Sequence, residues 1–280
     1  MTELFKNFFN LHNYKIQVGT SAIQGMRDHM EDTKRIVKLL IPNINISYLV
    51  ILCDGHAGDQ CSKFIIKHLP NLFVEELSKL KKNYTHIEIN KKINIIMKKI
   101  DNLFETNVND LSGSTCNCCL FINSKIYIIN IGDSRCIIGN NEKIIFSTLD
   151  HKPELKKEHL RIIQNGGFVV NQDVPRVFIN EKASGLAMSR ALGDLNYKRE
   201  NTKIVVNSPD IYIRDNLQSD EIMVLASDGL WDVVSNLETL HFINKRLGKM
   251  SLKTVANQLV NYALKKGSMD NITVIICKIK

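Results

Sequence analysis

Two hydrophobic patterns alternate along the chain. Short apolar runs form the first: Tyr48-Leu49-Val50-Ile51-Leu52-Cys53, Thr115 to Ile122, Lys125 to Ile131, Ile222 to Ala226 and Ile272 to Lys278. Most are rich in β-branched side chains and bounded by Gly, Asn, Asp or Ser, which predicts strands. The runs on either side of Asn123-Ser124 predict a hairpin with a two-residue tip. In the second pattern apolar residues recur every three or four positions. Ile89, Ile93, Ile96, Ile100 and Leu103 share one helical face. Leu252, Val255, Ala256, Leu259 and Ala263 do the same, behind an N-cap at Ser251 and before a stop at Gly267. Ser235 and Glu238 have capping-box spacing ahead of another helix. A further helix is expected from Pro153 to the Gly166-Gly167 pair. The sum is a mixed α/β protein with mainly antiparallel sheet and helices packed on its faces.

Composition narrows this little. Of 280 residues, 44% are apolar and 24% charged, which excludes collagen, low-complexity disorder and a bundle of membrane spans. No stretch approaches the ~20 uninterrupted apolar residues of a transmembrane helix. No Gly/Ser-rich linker or internal repeat divides the chain, so one domain over residues 1–280 is expected. The start, MTELFKNFFNLHNYK, lacks the features of a signal peptide, and Thr2 stands where myristoylation would need glycine. Seven cysteines without framework spacing predict reduced thiols and a cytoplasmic or nuclear protein. Cys116-Asn117-Cys118-Cys119 contains one C-x-x-C. Strand alternation would put Cys116 and Cys119 on opposite faces, so these thiols, like Cys53, are expected in the core. The formal charge of +8 is spread along the chain. It suits either a solvated basic surface with helix-covering lysines or attraction to anionic partners such as phosphoproteins or nucleic acid. Without interleaved aromatic and basic residues, no nucleic-acid partner is expected.

The acidic residues change the picture. Asp54 follows the run ending at Cys53 and precedes Gly55. Asp133 follows Tyr127 to Ile131 and the turn residue Gly132. Asp228 follows Met223 to Ala226 and precedes Gly229. Asp270 opens Asp270-Asn271-Ile272-Thr273 just before the last strand. A single Asp-Gly pair usually does no more than turn the chain. Four acids at four strand ends can instead converge on one edge of a sheet. Clustered carboxylates need a cation, because like charges raise one another's pKa. All-oxygen ligands favour Mg²⁺ or Mn²⁺ over Zn²⁺. Gly25 to Asp32 adds Arg27, whose planar fork could clamp an anion, and Glu31 or Asp32 as a further ligand. His56, two residues after Asp54, is placed to act as a general acid near neutral pH.

The ordered series RDHMED, CDGHAG, GSTC, NIGDSR, DHKP, LAMSRALGD, ASDGLWD and DNITV, from about Val18 to about Lys278, resembles the metal-dependent serine/threonine protein phosphatases of the type 2C (PPM) family. The resemblance implies an α+β fold, two antiparallel sheets packed as a central sandwich with helices on both sides, and two Mg²⁺ or Mn²⁺ ions. Asp54 matches the bridging carboxylate, and Asp228 and Asp270 match the other ligands of the first metal. Glu31 and the carbonyl of Gly55 match the second, some contacts being through water. Asp133 with Asp228 and Asp232 matches a weaker third metal site known in some members. Arg27 matches the residue that binds substrate phosphate, and His56 the general acid. Asp32 and Asn271 match positions that support the ligands. The implied reaction is attack on phosphoserine or phosphothreonine by a metal-bridging hydroxide, with no covalent phosphoenzyme.

The resemblance implies phosphoprotein substrates, and a monomer is expected. Asn171 to Lys182 falls near the family's variable flap, where Arg176 is a candidate for choosing substrates. Gly193 and Asp194 are read as structural. Two rival readings stay open: a phosphohydrolase acting on a small molecule or nucleic acid, and an inactive scaffold that binds a kinase or receptor. The intact Glu31, Asp54, Asp228 and Asp270 weigh against the scaffold.

Overall fold

The computed structural model describes residues 8–11, 14–44, 47–171, 173–181, 184–198, 202–215 and 218–279. The segment read for a leader and an acylation site begins in residues 1–7, outside the described residues. Positions 172 and 182 of the flap stretch also lie outside them.

Two antiparallel sheets carry the fold. One has the order β1 (Phe8–Leu11), β2 (Tyr14–Ile23), β16 (Ile272–Ile279), β15 (Ile222–Ala226), β9 (Arg135–Gly139), β10 (Ile144–Ser147). The other runs β14 (Asp210–Arg214), β8 (Lys125–Ile131), β7 (Cys116–Ile122), β4 (Ser47–Cys53), β3 (Thr33–Leu39). Alternation along each strand splits the core into layers. Met223 and Leu225 meet Val50, Leu52, Cys119 and Phe121 between the sheets. Ile222, Val224 and Ala226 face the other way, against α5 (Asn236–Asn244), α6 (Leu252–Lys265) and the short α4 (Asp228–Trp231). Leu49, Ile51, Cys53, Cys116 and Cys118 turn outward from the second sheet onto α1 (Gln60–Leu77) and α2 (His86–Asn107). Cys116 and Cys119 thus lie on opposite faces of β7. Because both faces of the inner strands are covered, their sequences read as unbroken apolar runs.

The hairpin at Asn123-Ser124 forms with Ile122 paired to Lys125, and Asn123 takes the left-handed conformation (φ 54°) that its short polar side chain tolerates. Ser251 caps α6 by accepting from the Thr254 N–H. Ser235 caps α5, but Glu238 does not close the box. Its carboxylate accepts from Tyr262 Oη at 2.5 Å and pairs with Lys266 instead. The helix expected from Pro153 starts later, as α3 (Lys156–Gln164). Pro153 and Glu154 form a turn, and the Leu155 N–H donates to the Lys152 carbonyl at 3.2 Å. Helix α1 contains Pro70, which has no N–H to donate to the Ile66 carbonyl. Arg35 Nη1, from the neighbouring β3, fills that vacancy at 2.8 Å.

Two smaller units complete the chain. β5 (Gly55–His56), β6 (Gly113–Ser114) and β13 (Leu192–Gly193) form a narrow sheet beside the end of β4. β11 (Phe168–Val170) pairs with β12 (Arg176–Phe178) as a flap, with its own core of Ile162, Val177, Met188, Ala191 and Tyr197.

Candidate active site

The acids gather where both sheets end on the same side. Asp32 and Asp54 come from the edges of β3 and β4, Asp133 from the turn after β8, Asp228 from the end of β15, and Asp270 from just before β16. Asp54 reaches its place because β4 stops there. Its N–H donates to Thr115 Oγ1 at 3.0 Å, and its carbonyl accepts from the Thr115 N–H at 2.9 Å and Ser114 Oγ at 3.1 Å. The Asp133 turn is braced by Asn130, whose amide donates to the carbonyls of Gly132 and Leu149 at 3.2 and 3.1 Å.

The carboxyl of Asp54 lies within hydrogen-bonding contact of both Asp32 and Asp228. Burial first, then the charges of Asp32, Asp228 and Asp133, holds its pKa well above the ordinary carboxylate range. Burial also lifts Asp228 to about 8, with Asp133 and Asp232 adding to it and Lys152 opposing. Asp32 rises to about 6, mostly through burial, although Ser227 Oγ donates to it at 2.8 Å. Asp232 is raised by burial, against the pull of Lys152. Among the described residues Asp133 Oδ1 is buried with no donor, and Asp32 Oδ1 has none in good hydrogen-bond geometry, although the Thr273 hydroxyl stands beside it. Such a cluster is satisfied by protons or by cations.

The remaining candidates surround this cluster. Glu31 lies beside Gly55, where an added Cβ would sit 2.6 Å from the Glu31 carbonyl oxygen. Glu31 Oε1 accepts from the Gly58 N–H at 2.8 Å, and its own N–H donates to Asn271 Oδ1 at 2.7 Å. Asn271 also donates to the carbonyls of Gln24 and His29, tying the Arg27 loop to β16. Arg27 Nη2 meets Asp270 Oδ2 at 2.6 Å and stays 61% exposed, open to an incoming anion. Lys152 Nζ lies 2.6 Å from Asp133 Oδ2. Among the described residues no three His, Cys, Asp or Glu side chains stand as a finished coordination group. Two of the outer carboxylates, Asp133 and Asp270, are instead held by these side-chain cations. His56 borders the cluster, where Asp133 and Glu31 act on it electrostatically. Arg176 is not brought into the cluster by any contact. It is exposed, and its Nη1 donates to the Gly185 carbonyl within the flap at 2.9 Å.

Two residues gain a place that the sequence does not signal. Lys152 follows the His151 backbone, which Gly132 and Ser189 hold in position. Asp194, read above as structural, supplies the carboxylate that faces His56.

The all-oxygen ligand set, the crowding of four carboxyls at one place and the unpartnered oxygen of Asp133 fit hard divalent cations. Among the described residues no helix is long and apolar enough to cross a membrane.

Residues 16–272 match the sequence profile of the family described as protein phosphatase 2C. The chain is 35% identical over 274 residues to a rice protein named "Probable protein phosphatase 2C 7", covering 94% of this chain and 66% of that one. It is 34% identical over 281 residues to rat "Protein phosphatase 1B", covering 93% and 70%. Its fold matches the crystal structure of a serine-threonine phosphatase 2C from Toxoplasma gondii with a TM-score of 0.78 at 22% identity, across 97% of this chain and 96% of that one.

Proposed function

The chain belongs to the protein phosphatase 2C family, and on that premise we infer that it hydrolyses phosphoserine and phosphothreonine in proteins with the help of two divalent cations, Mg²⁺ or Mn²⁺. The observation that carries this reading is the packing of the buried Asp32 and Asp133 and the half-buried Asp54 and Asp228 against one another, with Asp133 Oδ1 left without a donor among the described residues. Asp54, Asp228 and Asp270 would hold the first ion, with Asp54 shared. Glu31 and the Gly55 carbonyl would hold the second, and Asp133, Asp228 and Asp232 a third, weaker one. Bound at this position, such ions supply Lewis acidity and acidify a water molecule.

The chain's own residues supply the rest. Arg27, exposed beside Asp270, binds the phosphoryl oxygens and neutralises their charge. His56, at the rim of the cluster, gives a proton to the departing seryl or threonyl oxygen. The hydroxyls of Thr115 and Ser114 hold the backbone of Asp54 in place, so little reorganisation is needed at the moment of reaction. The flap around Arg176 contributes to substrate choice. The enzyme works as a monomer in the cytoplasm or nucleus.

The test is phosphate release from a phosphothreonine peptide with and without Mn²⁺, with a nucleotide as the competing substrate. Release that needs Mn²⁺, favours the peptide and falls by more than about 1000-fold in Asp54→Asn is expected. Metal-independent release, survival of activity in that variant or preference for the nucleotide would overturn the proposal.

A further inference from the structure

His56 is gripped on one side only. Both carboxylate oxygens of Asp194 lie 2.9 Å from His56 Nε2, and Asp194 is 4% exposed. A carboxylate only accepts, so Nε2 must carry a hydrogen. Nδ1 is buried as well and has no partner. It is the nitrogen left over for proton exchange.

The chain goes to some trouble to put Asp194 there. Its backbone is left-handed (φ 50°, ψ 46°), a conformation that non-glycine residues keep only where their surroundings enforce it. The enforcement is visible. The Asp194 N–H donates to the Ser112 carbonyl at 3.1 Å, and the Tyr197 N–H donates to the Asp194 carbonyl at 2.9 Å. The preceding Gly193 N–H donates to Asp101 Oδ1 at 2.7 Å, and Lys198 and Asn207 both donate to Asp101 Oδ2 at 2.7 Å. Across from the pair stands Gly113. A Cβ on Gly113 would lie 2.3 Å from both His56 Nε2 and Asp194 Oδ2, so only glycine leaves room for their contact.

We propose that Asp194 is a positioning residue for phosphoester hydrolysis, fixing the rotamer and tautomer of His56 so that Nδ1 presents the proton to the departing oxygen. The P–O bond to serine or threonine breaks, its electron pair goes to that oxygen, and the oxygen takes the Nδ1 proton. The ring is left neutral, with Nε2–H still on Asp194. The proton released by the attacking water recharges it for the next turnover. The inference rests on His56 acting as the general acid, and the experiment separates the two.

Asp194→Asn, His56→Ala and their double variant are assayed as the Mg²⁺-loaded enzyme on a phosphothreonine peptide, a poor leaving group, and on p-nitrophenyl phosphate, a good one. Asp194→Asn should lower kcat on the peptide by roughly 30-fold and on the aryl ester by less than about 3-fold, with KM unchanged. The double variant should fall no further than His56→Ala. Gly113→Ala should show the same leaving-group bias. If His56→Ala is biased and Asp194→Asn is equally slow on both substrates, the role of Asp194 is refuted alone. If neither is biased, the general-acid reading of His56 falls and takes this one with it. Should Asp194→Asn fail to fold, nitrogen NMR of the unaltered Mg²⁺-loaded enzyme, raised in pH until the His56 ring is neutral, decides: a ring that keeps its proton at Nε2 supports the proposal, and one that keeps it at Nδ1 overturns it.

Discussion

Replacing one ionisable carboxyl of the acid cluster should make the metal-free protein more stable while destroying its activity. Asp228 is the residue to change, since its carboxyl is pushed up to about 8 by burial and by Asp133 and Asp232. Its value in the unfolded chain is near 3.8. Below pH 4 both states hold the proton, and Asp228 costs nothing. Between pH 4 and pH 8 the unfolded chain gives up a proton that the folded chain keeps, so folding loses stability as pH rises. At pH 7 the gap spans about three pH units, which at 1.36 kcal/mol each gives a ceiling of about 4 kcal/mol. Asp54 and Asp32 share protons with Asp228, so the set titrates together and one substitution recovers only part of that sum. Asn keeps the shape and cannot ionise. Asp228→Asn in chelator at pH 7.5 should therefore be about 2 kcal/mol more stable than the parent, a rise of roughly 5 °C in Tm. Near pH 4.5 the difference should nearly vanish. Added Mn²⁺ should raise the parent's Tm more than the variant's. Scanning calorimetry at the two pH values, with and without the ion, reads all three quantities. A variant less stable than the parent at pH 7.5 in chelator, or a gap that ignores pH, would refute the reasoning.

The other predictions concern the rim and the scaffold. Arg27→Ala removes an exposed guanidinium that pairs with Asp270, so KM for a phosphopeptide should rise roughly 10- to 100-fold with Tm almost unchanged; a large fall in Tm would mean that Arg27 is structural. Arg190 is 5% exposed, pairs with Glu158 and Asp210, and donates to the Ser208 carbonyl. Arg190→Ala leaves the buried Glu158 charge short of a partner and should cost roughly 3 kcal/mol in denaturant unfolding, whereas Lys63→Ala, at the exposed pair with Asp59, should cost less than about 1. Glu158 is held down to about 2 by Arg190, Ser189 and Arg161, which overcome the opposing effect of its burial. Its stabilisation is therefore present above the unfolded carboxylate value and drains away as pH falls toward 2. Acid unfolding of the parent and of Glu158→Gln should converge there.

The strands were readable because covering both faces leaves an apolar run with nothing polar to blur it, as in Tyr127 to Ile131. The acids at Asp54, Asp133 and Asp228 were readable for the same reason: each marks where such a run stops. Helix α1 was not, because Pro70 argues against it and the side chain that repairs the break, Arg35, is 31 residues away. Glu238 had a capping partner at the right spacing, yet tertiary contacts with Tyr262 and Lys266 claimed it. The facing of Asp194 onto His56 spans 138 positions and depends on a left-handed turn at a residue that is not glycine. No local pattern encodes such a meeting.

The arrangement of the acids has a consequence for biosynthesis. Asp32 and Asp54 stand on one sheet and Asp228 and Asp270 on the other, while β16, the last strand, slots between β2 and β15 rather than at an edge. A chain still emerging from the ribosome without that strand has an unfilled gap through its first sheet and lacks Asp270. Until it is added, β2 and β15 have no neighbour on that side, and the edge that gathers the acids is one member short.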